Sequence, residues 1–296
     1  MHDVQPVQLV RVFSTTDNGG NPAPIALDAN GWSDTQMKDV ARAYGHESAF
    51  VMRAADPRHD FRFRFFVPNH EMEMCGHATL GALWLLRHTG VWRTDTARIE
   101  TLSGIVEARY QASDASDASD SRIEVSQPAG RVEPVNDTAL IARTLDALNL
   151  TADDLLPLGI VNATTSRTKT LVPVRTTARL NAIAPKLERI EAVCDALSST
   201  GLYPFSLDAD APHVFDARQF PRSSGYPEDA ATGIAAAALL FGAHRYGLVA
   251  AGERGIVVRQ GVAMGRPSAI GVDFRDPADA RQGCWLSGPV CLIEEA

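Results

Sequence analysis

Phe65-Phe66-Val67-Pro68, and after it Glu73-Met74-Cys75-Gly76-His77-Ala78-Thr79-Leu80-Gly81-Ala82-Leu83-Trp84-Leu85-Leu86, is the stretch on which the fold turns. An apolar alternating run stops at a proline, a thiol, a glycine and a histidine follow, and a helix-forming apolar segment begins at once. Polar chemistry therefore sits at a helix N-terminus.

Upstream of it, Val7 to Phe13 alternates like a strand. The turn-rich Asp17-Asn18-Gly19-Gly20-Asn21-Pro22 then leads into a second apolar run over 23–27, which predicts a hairpin with a wide loop. A helix is expected over 35–43, capped by Ser33 or Asp34 and closed at Tyr44-Gly45. His46-Glu47-Ser48-Ala49-Phe50-Val51 puts a charged pair at the mouth of the next strand, and Arg62 to Val67 is another strand. Downstream, the opening stretch carries a helix from about Gly76 to Thr89, and two strands flank Ser103-Gly104 within 97–110. This half is strand-rich with two helices, an α+β pattern.

Residues 112–121, Ala-Ser-Asp-Ala-Ser-Asp-Ala-Ser-Asp-Ser, form a low-complexity acidic tract with no apolar surface to bury, read as an exposed loop near a lobe boundary. Beyond it a strand is expected at 122–126, helices at 138–148 and 187–198, and a strand at 170–174. The expected lobes are 1–121, to which about 275–296 returns, and 122–274.

At 296 residues, 45% hydrophobic and 22% charged, the chain has the composition of a soluble globular protein of two lobes. A formal net charge of −8 with no clustered basic face argues against nucleic acid, because binding there works by displacing counterions. The first residues show no basic-then-apolar leader, and the longest nearly uncharged run, 230–243, falls short of the roughly 20 residues that span a bilayer. Four cysteines without metal-site spacing fit a reducing compartment, so a cytoplasmic location away from membranes is expected.

An internal repeat sharpens the opening stretch. Phe66-Val67-Pro68 overlays Gln219-Phe220-Pro221 at an offset of 153, Met74 to Leu83 overlays Glu228 to Ala237 at 154, and Ser103-Gly104 overlays Gln260-Gly261 at 157. Strand, loop, small-residue turn and apolar helix recur in order, and Cys75 corresponds to Asp229. Two such helix starts, each with exposed amide donors and partial positive charge, would suit a carboxylate ligand held between the lobes.

The candidate residues each have a plainer reading too. Glu47 is either a proton carrier at the edge of a core or a solvated carboxylate at a strand mouth. His77 either orients substrate or is a surface histidine. Cys75 is an activated thiolate or an inert buried cysteine, and Asp229 a site carboxylate or an N-cap. No histidine pairs at helical spacing with another ligand, and there is no GxGxxG or Walker loop, so neither metal nor cofactor is expected.

Five landmarks in order carry a resemblance: Gly20-Asn21-Pro22-Ala23, His46-Glu47-Ser48-Ala49-Phe50-Val51, Cys75-Gly76-His77-Ala78-Thr79-Leu80, Glu228-Asp229-Ala230-Ala231-Thr232-Gly233, and Gln260-Gly261 with Gly265-Arg266-Pro267-Ser268. The chain resembles the phenazine-biosynthesis isomerase-like (PhzF-like) proteins, relatives of diaminopimelate epimerase. The resemblance implies a duplicated α+β fold of two lobes, each a mostly antiparallel, barrel-like sheet around a central helix. It also implies a homodimer and a cofactor-free isomerase acting on a small carboxylate. In that reading Glu47 is the general acid/base, with His77 and Asp229 as helpers. Asn21, Gly76, Ala78, Thr232 and Gly233 line the substrate, and backbone amides near Gly76 and Gly233 hold its carboxylate.

The sequence departs from the phenazine enzyme where Cys75 replaces alanine, His46 replaces the common serine, and Ile234 replaces a small polar residue. These changes put the phenazine substrate in question and leave proton transfer in place. Two alternatives stand beside this reading: a two-base epimerase using Cys75 and Asp229, and a non-catalytic small-molecule binding protein on the same fold.

Overall fold

A computed structural model of the chain describes residues 7–112, 121–208 and 210–293, so the acidic tract lies almost wholly outside the described residues. The fold is α+β and resolves into two compact units. The first comprises residues 1–14, 20–126 and 287–296; the second comprises 15–19 and 127–286.

In the first unit, β1 (Gln8–Val12) and β2 (Asn21–Ala26) form the expected antiparallel hairpin. Helix α1 (Asp34–Tyr44) follows, with Ser33 as N-cap in a reciprocal capping box with Gln36 and with Gly45 left-handed at its C-terminus. α1 is a crossover, so β2 runs parallel to β3 (Ser48–Met52). β3 is antiparallel to β4 (Phe61–Phe66), β4 to β5 (Glu71–Met72), and β4 is parallel to β6 (Thr96–Thr101), which is reached through α2 (Gly76–His88). β7 (Gly104–Gln111) and β8 (Arg122–Gln127) continue antiparallel from β6.

Strand parity explains the aromatic run. Ser48 and Phe50 stand opposite Phe66 and Arg64, and Phe50 and Phe66 pack on Met37 and Ala41 of α1. Ala49, Val51, Phe63 and Phe65 therefore point to the other face, where α2 lies. With both faces covered, β3 is buried on both and reads as a continuous apolar run, not an alternating one. α2 is buried along most of its length because it packs against β1, β2 and β3 together. Leu80, Leu83 and Leu86 each contribute about 1.5–3 kcal/mol from burial. A Cβ on Gly81 would come within 2.8 Å of the Val10 side chain, so the helix lies against β1 closer than any other residue would allow.

In the second unit, β9 (Arg131–Pro134) leads to α3 (Thr138–Ala147), capped by Asp137. β10 (Val161–Thr164) is antiparallel to both β9 and β11 (Thr168–Pro173). The short α4 (Thr177–Asn181) and α5 (Leu187–Ala196) form the crossover that sets β11 parallel to β12 (Gly201–Leu207). β12 is antiparallel to β13 (Val214–Ala217) and β14 (Phe220–Pro221). After α6 (Gly233–Arg245) comes β15 (Ile256–Gln260), parallel to β13 and antiparallel to β16 (Ser268–Phe274).

Val172, Leu202 and Phe220 pack with α3 and α5 on one face, while Leu171 reaches Gly242 of α6 on the other. β17 (Cys284–Ser287) follows in the chain, and β18 (Val290–Leu292) pairs with β1 in the first unit. Among the described residues no helix is long and apolar enough to cross a membrane.

Candidate functional site

Glu47 immediately precedes β3, and continuing that strand's alternation puts it on the α2 side with Ala49 and Val51. β4 runs back to the same end of the ladder, because Phe66 pairs with Ser48, and β5 then carries the chain to Cys75. Topology thus delivers Glu47 to the first turn of α2. Cys75 is the N-cap in extended conformation, and its side chain makes no capping bond. Its carbonyl is fixed instead by the Thr79 amide (2.9 Å) and the Thr79 hydroxyl (2.7 Å).

Three side chains converge there. The Cys75 thiol lies 3.4 Å from Glu47 Oε2 and 3.4 Å from His77 Nδ1, and Nδ1 is 3.5 Å from Oε2. Cys75 is 5% exposed, the His77 side chain 11% and the Glu47 side chain 30%, so the carboxylate is the solvent-facing member. Gly76 and Ala78 are buried in the same turn. Asn21 opens β2 opposite Val12. Just before it Gly20 is left-handed at φ 62°, where a Cβ would collide with the Val12 carbonyl. The cluster can donate, accept and relay a proton, and its thiol, imidazole and carboxylate are all metal-ligand types.

Asp229, Thr232 and Gly233 belong to the other unit. Asp229 forms an isolated bridge with Gln219, its amide donating to the Gln219 carbonyl at 3.0 Å. The N-cap of α6 is Thr232, so the expected capping role of Asp229 is replaced by a turn role. Asp229 Oδ2 accepts from the Thr232 hydroxyl (2.5 Å), and Oδ1 accepts from the Ala231 amide (3.4 Å). Gln260 Nε2 donates to the Asp229 carbonyl (2.6 Å) and to Thr232 Oγ1 (3.1 Å), while the fully buried Tyr203 donates to Gln260 Oε1 (2.9 Å). Burial pushes the Tyr203 phenol well above its usual range, which keeps it a donor. Gly261 follows at φ 76°, with the Ala230 carbonyl 2.8 Å from where a Cβ would stand. The Gln260-Gly261 landmark thus holds the start of α6 in shape.

Sequence reading missed Tyr203, Lys169 and Gln219 here, since nothing in their local pattern marks them as polar groups turned inward. Gln219 is 1% exposed, and neither of its side-chain polar atoms has a hydrogen-bond partner among the described residues. Lys169 shares the α6 face of β11 with Leu171. Burial pushes its ammonium down from 10.5 to about 8, against the opposing pull of the Asp229 charge. Unfolding returns it to its ordinary range, so keeping it charged costs on the order of 3 kcal/mol below the folded value.

That cost fades as pH rises from about 8 towards 10.5, because over this window the unfolded chain binds the extra proton. Lys169→Met should therefore stabilise the protein by up to about 3 kcal/mol at neutral pH. Denaturant melts repeated across the same window should show the gain shrinking towards nothing.

Comparisons with known proteins bear on the family and the fold. An uncharacterized isomerase of Escherichia coli K12, YddE, is 30% identical over 234 residues, covering 76% of this chain and 74% of that protein. The trans-2,3-dihydro-3-hydroxyanthranilate isomerase of Pseudomonas chlororaphis is 28% identical over 286 residues, covering 95% and 94%. A Bacillus anthracis crystal structure described as a phenazine biosynthesis protein of the PhzF family superposes with a TM-score of 0.83 at 24% identity, covering 97% and 96%, which speaks to the fold. The pattern of the family described as phenazine biosynthesis-like protein, PhzC-PhzF, matches residues 10–294, and the chain belongs to that family.

Proposed function

We propose that the protein is a cofactor-independent isomerase that moves a carbon-bound proton on a small carboxylated metabolite, with Glu47 as general acid/base. The observation that carries this is the convergence of Glu47, Cys75 and His77 at the first turn of α2. A carboxylate that is part exposed, beside a ring that both donates and accepts, can take a proton from one carbon and return it to another, and it is regenerated by doing so. The first N–H groups of α2 have no partner inside the helix, so they offer a cradle for a substrate carboxylate. His77 orients the carboxylate, and Asp229 is the helper at the start of α6. The isomerase names of the relatives support the reaction class.

The two units have the same order of pairings: antiparallel, parallel across a helical crossover, antiparallel, parallel across a buried helix, antiparallel. This supports the reading that they descend from one duplicated unit, each with α2 or α6 at its centre. It is also why Asp229 is read as the positional counterpart of Cys75, beside the start of the other buried helix.

One observation favours a second reading, a two-base epimerase working with Cys75 and Asp229. The Cys75 thiol lies against a carboxylate and an imidazole that can accept its proton and leave it as a thiolate base. The deciding experiment incubates the purified protein in D2O with a panel of small carboxylated metabolites and follows deuterium at carbon by mass spectrometry. Exchange that survives Cys75→Ser and is lost in Glu47→Gln supports the proposal, and the reverse supports the two-base epimerase. Saturable binding with no exchange for any member would make the protein a binder.

A further inference from the structure

We propose that Glu47, Cys75 and His77 also form a preorganised site for a thiophilic divalent cation, with zinc the best fit. Zinc bonds of about 2.3 Å to sulfur and about 2.0–2.2 Å to nitrogen and oxygen, at tetrahedral angles, hold ligand atoms roughly 3.3–3.6 Å apart. The three separations here are 3.4, 3.4 and 3.5 Å, an almost equilateral triangle of one sulfur, one nitrogen and one oxygen. The imidazole-to-carboxylate distance exceeds the roughly 2.7–3.2 Å of a direct N–H···O bond, yet it suits two ligands of one ion.

The chemistry of the donors selects the cation. Thiolate and carboxylate together neutralise a dication, and neutral imidazole completes the set. One carboxylate is too few for calcium or magnesium, which take mainly oxygen ligands. Three protein ligands leave a fourth position for water or a substrate oxygen, on the side where Glu47 is exposed. The N-terminus of α2 works against a nearby cation, at roughly a fivefold cost in affinity, while favouring the thiolate that binds it. Sequence spacing hides the site, because Glu47 lies 28 residues from its sulfur partner. Among the described residues no other trio of His, Cys, Asp and Glu brings ligand atoms this close, so one ion per chain is expected.

Bound zinc would hold the carboxylate, thiol and imidazole at once and so stop proton transfer. This consequence rests on the function proposed above, whereas the binding does not. The test strips the full-length protein of metal, then titrates zinc against a chromophoric chelator and cobalt(II) by its thiolate charge-transfer absorption. One equivalent with a thiolate band is expected. Cys75→Ser should lose the band, and Cys75→Ser and His77→Gln should each weaken binding at least tenfold, with melting curves checking that both remain folded.

The exposed Cys291 provides the control, since Cys291→Ser should bind as the parent does. Absence of a saturable equivalent, or unchanged binding in both site variants, would overturn the proposal. Zinc binding at the trio without loss of exchange on a panel substrate would uphold the site and remove Glu47 as the proton carrier.

Discussion

Glu47→Gln should lower the rate of solvent deuterium exchange on the responsive substrate by about 10²–10⁴-fold, the usual worth of a positioned general acid/base. The amide keeps the size of the carboxylate and still accepts from the thiol, so substrate affinity should change little and the loss should fall on kcat. The side chain is the most exposed of the cluster at 30%, so folding stability should stay within about 0.5 kcal/mol of the parent. His77→Gln should cost less, because it removes an orienting partner and leaves the carboxylate that carries the proton. Single-turnover exchange measured with and without each substitution separates the two roles. An unchanged Glu47→Gln rate would move the chemistry to Cys75.

The largest effect on stability is expected at Arg218. Its guanidinium grips Glu228 through two 2.8 Å bonds and also donates to the carbonyls of Leu180, Asn181 and Ile183. The Arg218 and Glu228 side chains are only 8% and 12% exposed, so removing one charge strands the other. Arg218→Met should cost about 3–5 kcal/mol, since it strands a buried carboxylate and removes a donor from three backbone carbonyls, of which Leu180 keeps the Ile183 amide. At roughly 2–4 °C per kcal/mol, the unfolding midpoint should drop by on the order of 10 °C. Adding Glu228→Gln should recover part of that loss, because an uncharged amide tolerates burial better. Calorimetry of the single and double variants tests the coupling, and additive losses would refute it. Glu228 directly precedes Asp229, so this clamp also fixes the loop that presents Asp229.

The parts legible in sequence were those fixed by local physics. The Ser33 cap, the β1–β2 hairpin and the start of α2 at Gly76 follow from side-chain-to-backbone bonding and from period, and these need no partner far along the chain. Glu47 was readable as a strand-mouth carboxylate, but its meeting with Cys75 depends on β4 returning antiparallel to β3. β12 was missed because both its faces are covered, which erases alternation, and Pro204 within it argued against a strand. Lys169, Tyr203 and Arg218 look like ordinary surface residues in sequence. Only helices packed across the strands turn them into buried polar groups.

β18 pairs with β1 through Val10 and Leu292, and the Phe13 amide donates to the Pro289 carbonyl. β1 therefore waits for a partner made about 280 residues after it. On the ribosome, residues 127–286 can gather into their unit while β1, joined to β2 on one side, still shows an open edge to its surroundings. The order of synthesis and the order of completion run in opposite directions. A nascent chain stalled before residue 290 would present a sticky strand edge that the finished protein has covered.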